Sequence, residues 1–218
     1  MKLSLDSDSP VVSKAEQVTD LLVAGFLWLL CSIPVITIGT ATAALYYTVV
    51  KVVRRGRDTV ARSFFHSFRN NLRQGICATV IYLLYGGILT IYIMNLGRLG
   101  DIGMNPYMYA AIGILLAVPF LFTGVYIFPV MSRFDAGMVK QFQYALHMSV
   151  GHMITTISLI IWLAVVVFCV YLFSFSLLIL PGIYVLVSSF FIERIFRKYM
   201  KKERERYTDS DELPWYLE

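Results

Sequence analysis

Charge is scarce in this chain and absent from long blocks of it: forty residues separate His152 from Glu193 without one Asp, Glu, Lys, Arg or His. Only 15% of the 218 residues are charged and 58% are hydrophobic, whereas a soluble domain carries about 25% charged residues. A water-soluble fold around one dry core is therefore excluded. Cysteine is equally sparse. Cys31, Cys77 and Cys169 all lie in apolar segments, with no spacing for a disulfide framework or a paired-thiolate metal site, so they read as small core hydrophobes. No Gly-rich phosphate loop, nucleophile elbow or pair of facing carboxylates occurs, so no catalytic residue, cofactor or enzymatic role is expected. Of the three histidines, His147 and His152 fall about 140° apart on a helix, poor geometry for zinc. The absence of ionisable residues deep inside the apolar runs argues against an ion-driven pump, which keeps such groups for coupling. The opening MKLSLDSDSP has no basic start followed by a short apolar stretch, so no cleavable leader is expected and the first apolar helix would direct insertion.

What the chain does have is four charge-free stretches, 21–50, 74–97, 102–132 and 153–192. A bilayer crossing needs about 20 apolar residues. The last stretch is twice that, so it must fold back on itself, with the reversal at Ser174, Phe175 and Ser176 and Pro181 in the first turn of the returning helix. The first stretch contains Pro34 and Gly39 around a Val/Ile/Thr-rich segment that disfavours unbroken helix. These features predict an all-α polytopic membrane bundle forming one integral domain over 1–200, with a charged tail over 201–218. Six spans are expected, near 18–33, 40–53, 74–97, 106–132, 153–173 and 177–197; five is the alternative if the first stretch is continuous.

The basic residues are bunched between spans. Arg54, Arg55, Arg57, Arg62, Arg69 and Arg73 face Asp58 alone in the 52–73 segment, and the C-terminal segment carries Arg194, Arg197, Lys198, Lys201, Lys202, Arg204 and Arg206. Both should be cytoplasmic. With six spans both termini are cytoplasmic; with five the N-terminus lies outside. The net charge of +5 then marks contact with anionic headgroups rather than nucleic acid.

Two of these segments project as amphipathic helices, near 58–73 and 136–152. In the first, Val60, Phe64, Phe65, Phe68 and Leu72 fall within about 140° of arc, with Arg62, Arg69 and Arg73 along its edge. Such a helix either lies among headgroups or packs on the ends of neighbouring spans. In the second, Met138, Val139, Phe142, Leu146, Val150 and Met153 share a face opposite Lys140, Gln143 and His147. Each follows a span and precedes another, which suggests a parallel internal repeat. Glu193 precedes Arg197 by one helical turn, a spacing that pairs acid with base. Asn95, near the outer end of a span, would need partners if buried.

The block WLLCSIPVITIGTATAALY at 28–46 and the block FFHSFRNN at 64–71 resemble the YesL-like family, small multi-pass membrane proteins of Gram-positive bacteria, and the FPVMSRFD segment at 128–135 continues the similarity in layout. The family has no settled activity. Its members' frequent neighbourhood with sugar-uptake ABC transporters implies a role in carbohydrate uptake or its regulation. By the same resemblance Pro34, Thr37, Gly39 and Asn71 form a structural motif. The expected function is a non-catalytic accessory of an ABC transporter, with Arg62, Phe64, Phe65, Phe68, Arg69 and Arg73 as its lipid-facing or partner-facing surface. The alternative is a permease for a small neutral solute such as a sugar.

Overall fold

A computed structural model describes residues 10–95, 105–134 and 136–204. The loop after Asn95, the acidic start and the tail containing Trp215 and Tyr216 lie outside the described residues. The described chain is all-helical: α1 (Pro10–Ser32), α2 (Ile38–Thr48), α3 (Val60–Asn70), α4 (Leu72–Met94), α5 (Pro106–Arg133), α6 (Met138–Gly151), α7 (Met153–Leu172) and α8 (Leu180–Arg204). The break after α1 follows from Pro34. Thr37 repairs it, its hydroxyl donating to the carbonyls of Cys31 and Pro34 at 2.6 Å each before the chain re-enters helix.

Among the described residues, five stretches are long and apolar enough to cross a membrane: Ala15–Ser32, Val35–Val53, Leu72–Met94, Tyr107–Arg133 and Met153–Leu172. The first apolar run is divided, as its punctuation predicts. The expected sixth span is the one that falls short, because Glu193, Arg194 and Arg197 enter α8 before it has run the length of a bilayer. α8 still carries the chain back along α7 after the 3₁₀ turn Ser174–Leu178, and it brings Glu193 to the end where α5 finishes and α7 begins.

α2 is the centre of the bundle. Of Val35–Val53, 61% is buried, against 17% of each other spanning stretch. Small residues make this packing possible: Gly39, Thr40, Ala41, Ala43 and Ala44 are all buried, so neighbouring backbones approach closely. Where α2 crosses α4, a Cβ on Gly39 would collide with the Thr79 hydroxyl and the Phe128 ring, and one on Gly75 would collide with Thr40. At this crossing the Thr79 hydroxyl accepts from the Gly39 amide at 3.0 Å and donates to the Gly75 carbonyl at 2.7 Å. One side chain thereby satisfies a first-turn amide of α2 that has no intrahelical partner.

Tyrosines of α4 fasten it to α5. Tyr82 donates to Thr123 at 2.6 Å, Tyr85 to the Leu116 carbonyl at 2.8 Å and Tyr92 to the Tyr109 carbonyl at 2.6 Å. Pro119 and Pro129 sit inside α5, and Thr123 and Ser132 donate to their carbonyls, the back-bonding that satisfies hydroxyls within a membrane helix. Cys77 is exposed on α4 rather than in a core, since its face of the span looks away from α2.

Candidate functional site

α3 and α6 both fold back on the span that precedes them, α3 on α2 and α6 on α5, but they present opposite faces. α3 buries Val60, Ser63, Phe64 and Ser67 against the bundle, with Phe68 half-buried and stacked on Phe64 at 6.2 Å between ring centres. Phe64, expected at a lipid or partner surface, is fully buried, because it shares its arc with Val60 and the two serines. Phe65 points outward, as do Arg62 and Arg69, around a shallow hollow shared with His66 and Asn70. The amphipathic helix expected over 58–73 ends earlier, at Asn70. Asn71 leaves helical geometry and α4 begins at Leu72, so exposed Arg73 belongs to the first turn of α4.

In α6 the residues packed inward are Gln141, Ala145, Met148 and Ser149. Val139, Leu146 and Val150 are exposed. This outward apolar face runs on into exposed Met153, Ile154, Ile157 and Ile161 of α7, continuous with the surface of a membrane span. The two helices share a place in the chain order, while α3 turns its arginines outward and α6 its aliphatic side chains.

Between α2, α3, α4 and the end of α5 lies a polar cleft of about 430 Å³, lined by Tyr47, His66, Ser67, Asn70, Asn71, Gln74, Met131, Ser132, Arg133 and Phe134. That volume is in the range of small-molecule sites. Its wall is mostly neutral: Asn71 donates to the Ser67 carbonyl at 3.0 Å, Asn70 lies 3.2 Å from His66 Nε2, and Gln74 accepts from Gln141 at 2.7 Å. Gln141 also donates to the Ala136 carbonyl at 2.9 Å, pinning the turn between α5 and α6. Carboxamides, hydroxyls and one imidazole can hold a polar group by hydrogen bonds. No carboxylate is among the cleft's described lining residues.

Behind the cleft stands a buried ion pair. Arg133 reaches Glu193 at 2.6 Å through Nη2 and 3.1 Å through Nε, and the Tyr46 hydroxyl donates to the same carboxylate oxygen at 3.3 Å. Glu193 thus turns to α5 and α2 and not to Arg197, which is exposed. Sequence spacing could not show this, since the partners lie sixty residues apart. The one available signal is that Arg133 and Glu193, of opposite sign, each close an apolar run. Arg54, at the end of the turn that extends α2, donates to the Ser189 carbonyl at 3.0 Å and lies over the Phe190 ring at 4.4 Å.

Asp58 and His152, both outside the spans, are displaced from their ordinary pKa values. Hydrogen bonds from Lys51 and from the Thr59 amide hold the Asp58 carboxyl down at about 2. Burial, and then the charge of Lys198, push the His152 imidazole below its usual range.

Of the family-like positions, Pro34 and Thr37 form the break between α1 and α2, Gly39 the α2–α4 crossing, and Asn71 both the α3–α4 joint and a wall of the cleft. Residues 21–93, a third of the chain, match the family described as "Protein of unknown function, DUF624", the same stretch that carries the YesL-like resemblance. No curated protein and no solved structure matches the chain.

Proposed function

We propose that this chain is a non-catalytic membrane accessory protein whose basic end is cytoplasmic and docks on a membrane transport complex. Carbohydrate uptake by an ABC transporter is the process the YesL-like resemblance implies. The observation that carries the reading is the polar cleft with the exposed Arg62, Phe65 and Arg69 beside it. A neutral hydrogen-bonding socket edged by arginines and one exposed ring has the composition of a protein-docking site, where Arg and aromatic anchors supply most of the binding energy. The clustering of Arg54, Arg55, Arg57, Arg194, Arg197 and Lys198 near this end supports its cytoplasmic assignment; with α8 returning along α7 as a sixth pass, the reading has both termini inside.

The second reading, a permease for a small neutral solute, draws support from the hydroxyl-bearing spans. Against it stands α2, whose small residues fill the middle of the bundle where a solute pathway would run. Extraction of the protein with native lipid in polymer discs, from cells grown on several carbon sources, tests the proposal. Stoichiometric recovery of ABC-transporter subunits is expected. Recovery of the protein alone, with transporter subunits shown to survive extraction, together with solute uptake by liposomes containing only this chain, would replace the docking role with transport.

A further inference from the structure

We infer that a groove between α1 and α8 is a binding site for one anionic phospholipid, distinct from the arginine stripe of α3. The groove, of about 560 Å³, is lined by Gln17, Val18 and Leu21 of α1, Val53 and Arg54 after α2, and Leu186 and Phe190 of α8. Its walls are apolar and belong to helices at the membrane, with Val18 58% and Phe190 57% exposed, so it opens sideways to lipid rather than to a protein core. Its polar groups are Gln17 and Arg54.

The Arg54 guanidinium is held in place before any lipid arrives. Nη1 donates to the Ser189 carbonyl at 3.0 Å and to the Ser189 hydroxyl at 3.3 Å, that hydroxyl donates in turn to the Leu186 carbonyl at 2.7 Å, and the Phe190 ring lies beneath the guanidinium carbon. No ion pair joins Arg54 to a carboxylate among the described residues. A planar guanidinium has five N–H donors in a fork that matches a phosphate, and only Nη1 is engaged in these contacts. Arg54 also follows directly on the Val49–Val53 turn, apolar but for Lys51, and precedes Arg55 and Arg57, which puts it at the depth where hydrocarbon gives way to headgroups. A phosphate at Arg54 and Gln17 would lay its acyl chain along Val18, Leu21 and Leu186. The two neighbouring arginines favour a headgroup with net negative charge over a zwitterionic one.

Native mass spectrometry of the full-length protein, released from detergent in the presence of equimolar phosphatidylglycerol and phosphatidylcholine of matched acyl chains, reads the site directly. The one-lipid adduct should favour phosphatidylglycerol by about fivefold or more, the preference expected from one well-placed basic residue. Arg54→Gln should bring the ratio close to one, Val18→Trp should fill the groove and remove the adduct, and Lys140→Gln, on α6, should leave the ratio unchanged. Millimolar inorganic phosphate should not displace the lipid, because it lacks the acyl chain. A wild-type ratio near one, a ratio unaffected by Arg54→Gln, an adduct that survives Val18→Trp, or displacement by free phosphate would each overturn the assignment. If Arg54→Gln fails to fold, Val18→Trp decides.

Discussion

Single side chains at the α2–α4 crossing and behind the cleft set much of this bundle's stability. A methyl group added at Gly39 or Gly75 meets the facing helix, at Gly75 its backbone. Gly75→Ala should therefore lower stability by about 1–3 kcal/mol, the usual range for overpacking, seen as a lower thermal midpoint in detergent; an unchanged midpoint would show that the helices can part at no cost. Glu193→Gln removes the charge that accompanies buried Arg133, and breaking such a pair costs about 3–5 kcal/mol. Replacing both members with apolar residues of similar volume should recover most of that loss, since burying the pair is itself expensive. His152 provides a pH test. Its folded pKa lies below the ordinary value of 6.5, so the unfolded chain takes up the proton first and stability falls as pH drops through that value. The thermal midpoint should decline between about pH 7.5 and about pH 5.5, and His152→Gln should flatten that part of the curve.

At the scale of elements, α3 and α6 show what periodicity can and cannot tell. Their apolar arcs are plain in the sequence, because a helix with a one-sided pattern must put that side somewhere out of water. Which apolar surface it meets is not written in the arc. In α3 the serines Ser63 and Ser67 lie inside with Phe64, since small side chains let the helix sit close on α2, and a count of hydrophobic residues passes over them. In α6 the inward side is centred on Gln141, Ala145 and Met148, and of the predicted apolar face Met138 and Phe142 pack on the bundle while Val139, Leu146, Val150 and Met153 stay exposed. Phe64→Ser should accordingly destabilise the protein by about 3–5 kcal/mol, as for other buried aromatics, whereas Phe65→Ser should stay within about 0.5 kcal/mol; equal effects would contradict the placement of α3. A fluorophore at Leu146 should be quenched by lipid-borne quenchers near the headgroup boundary, and one at Lys140 much less so. The same limit explains the spans. The forty-residue run and Pro34 could be read directly as a hairpin and a break, and the charges that cut α8 short stand in the sequence as well, whereas the partner of Glu193 on α5 is one that only folding brings near.

For the whole molecule, the fold follows from one requirement, that the apolar runs leave water, and the end proposed for docking is the one where the charges were left. The cleft combines Tyr47, Asn70, Gln74 and Arg133 from four helices, so no local motif announces it. The FFHSFRNN block supplied His66, Ser67, Asn70 and Asn71 of its wall, and the matching family stretch ends before the α5 contribution. The measurement that bears most directly on the docking claim is photo-crosslinking in the native membrane, with a photoreactive amino acid placed at Asn70 in the cleft and, as a control, at exposed Met94 at the far end of α4. A transport-complex subunit captured from position 70 and not from position 94 is the predicted result. Lipid adducts alone at both positions, with that subunit present in the same membranes, would contradict the docking role.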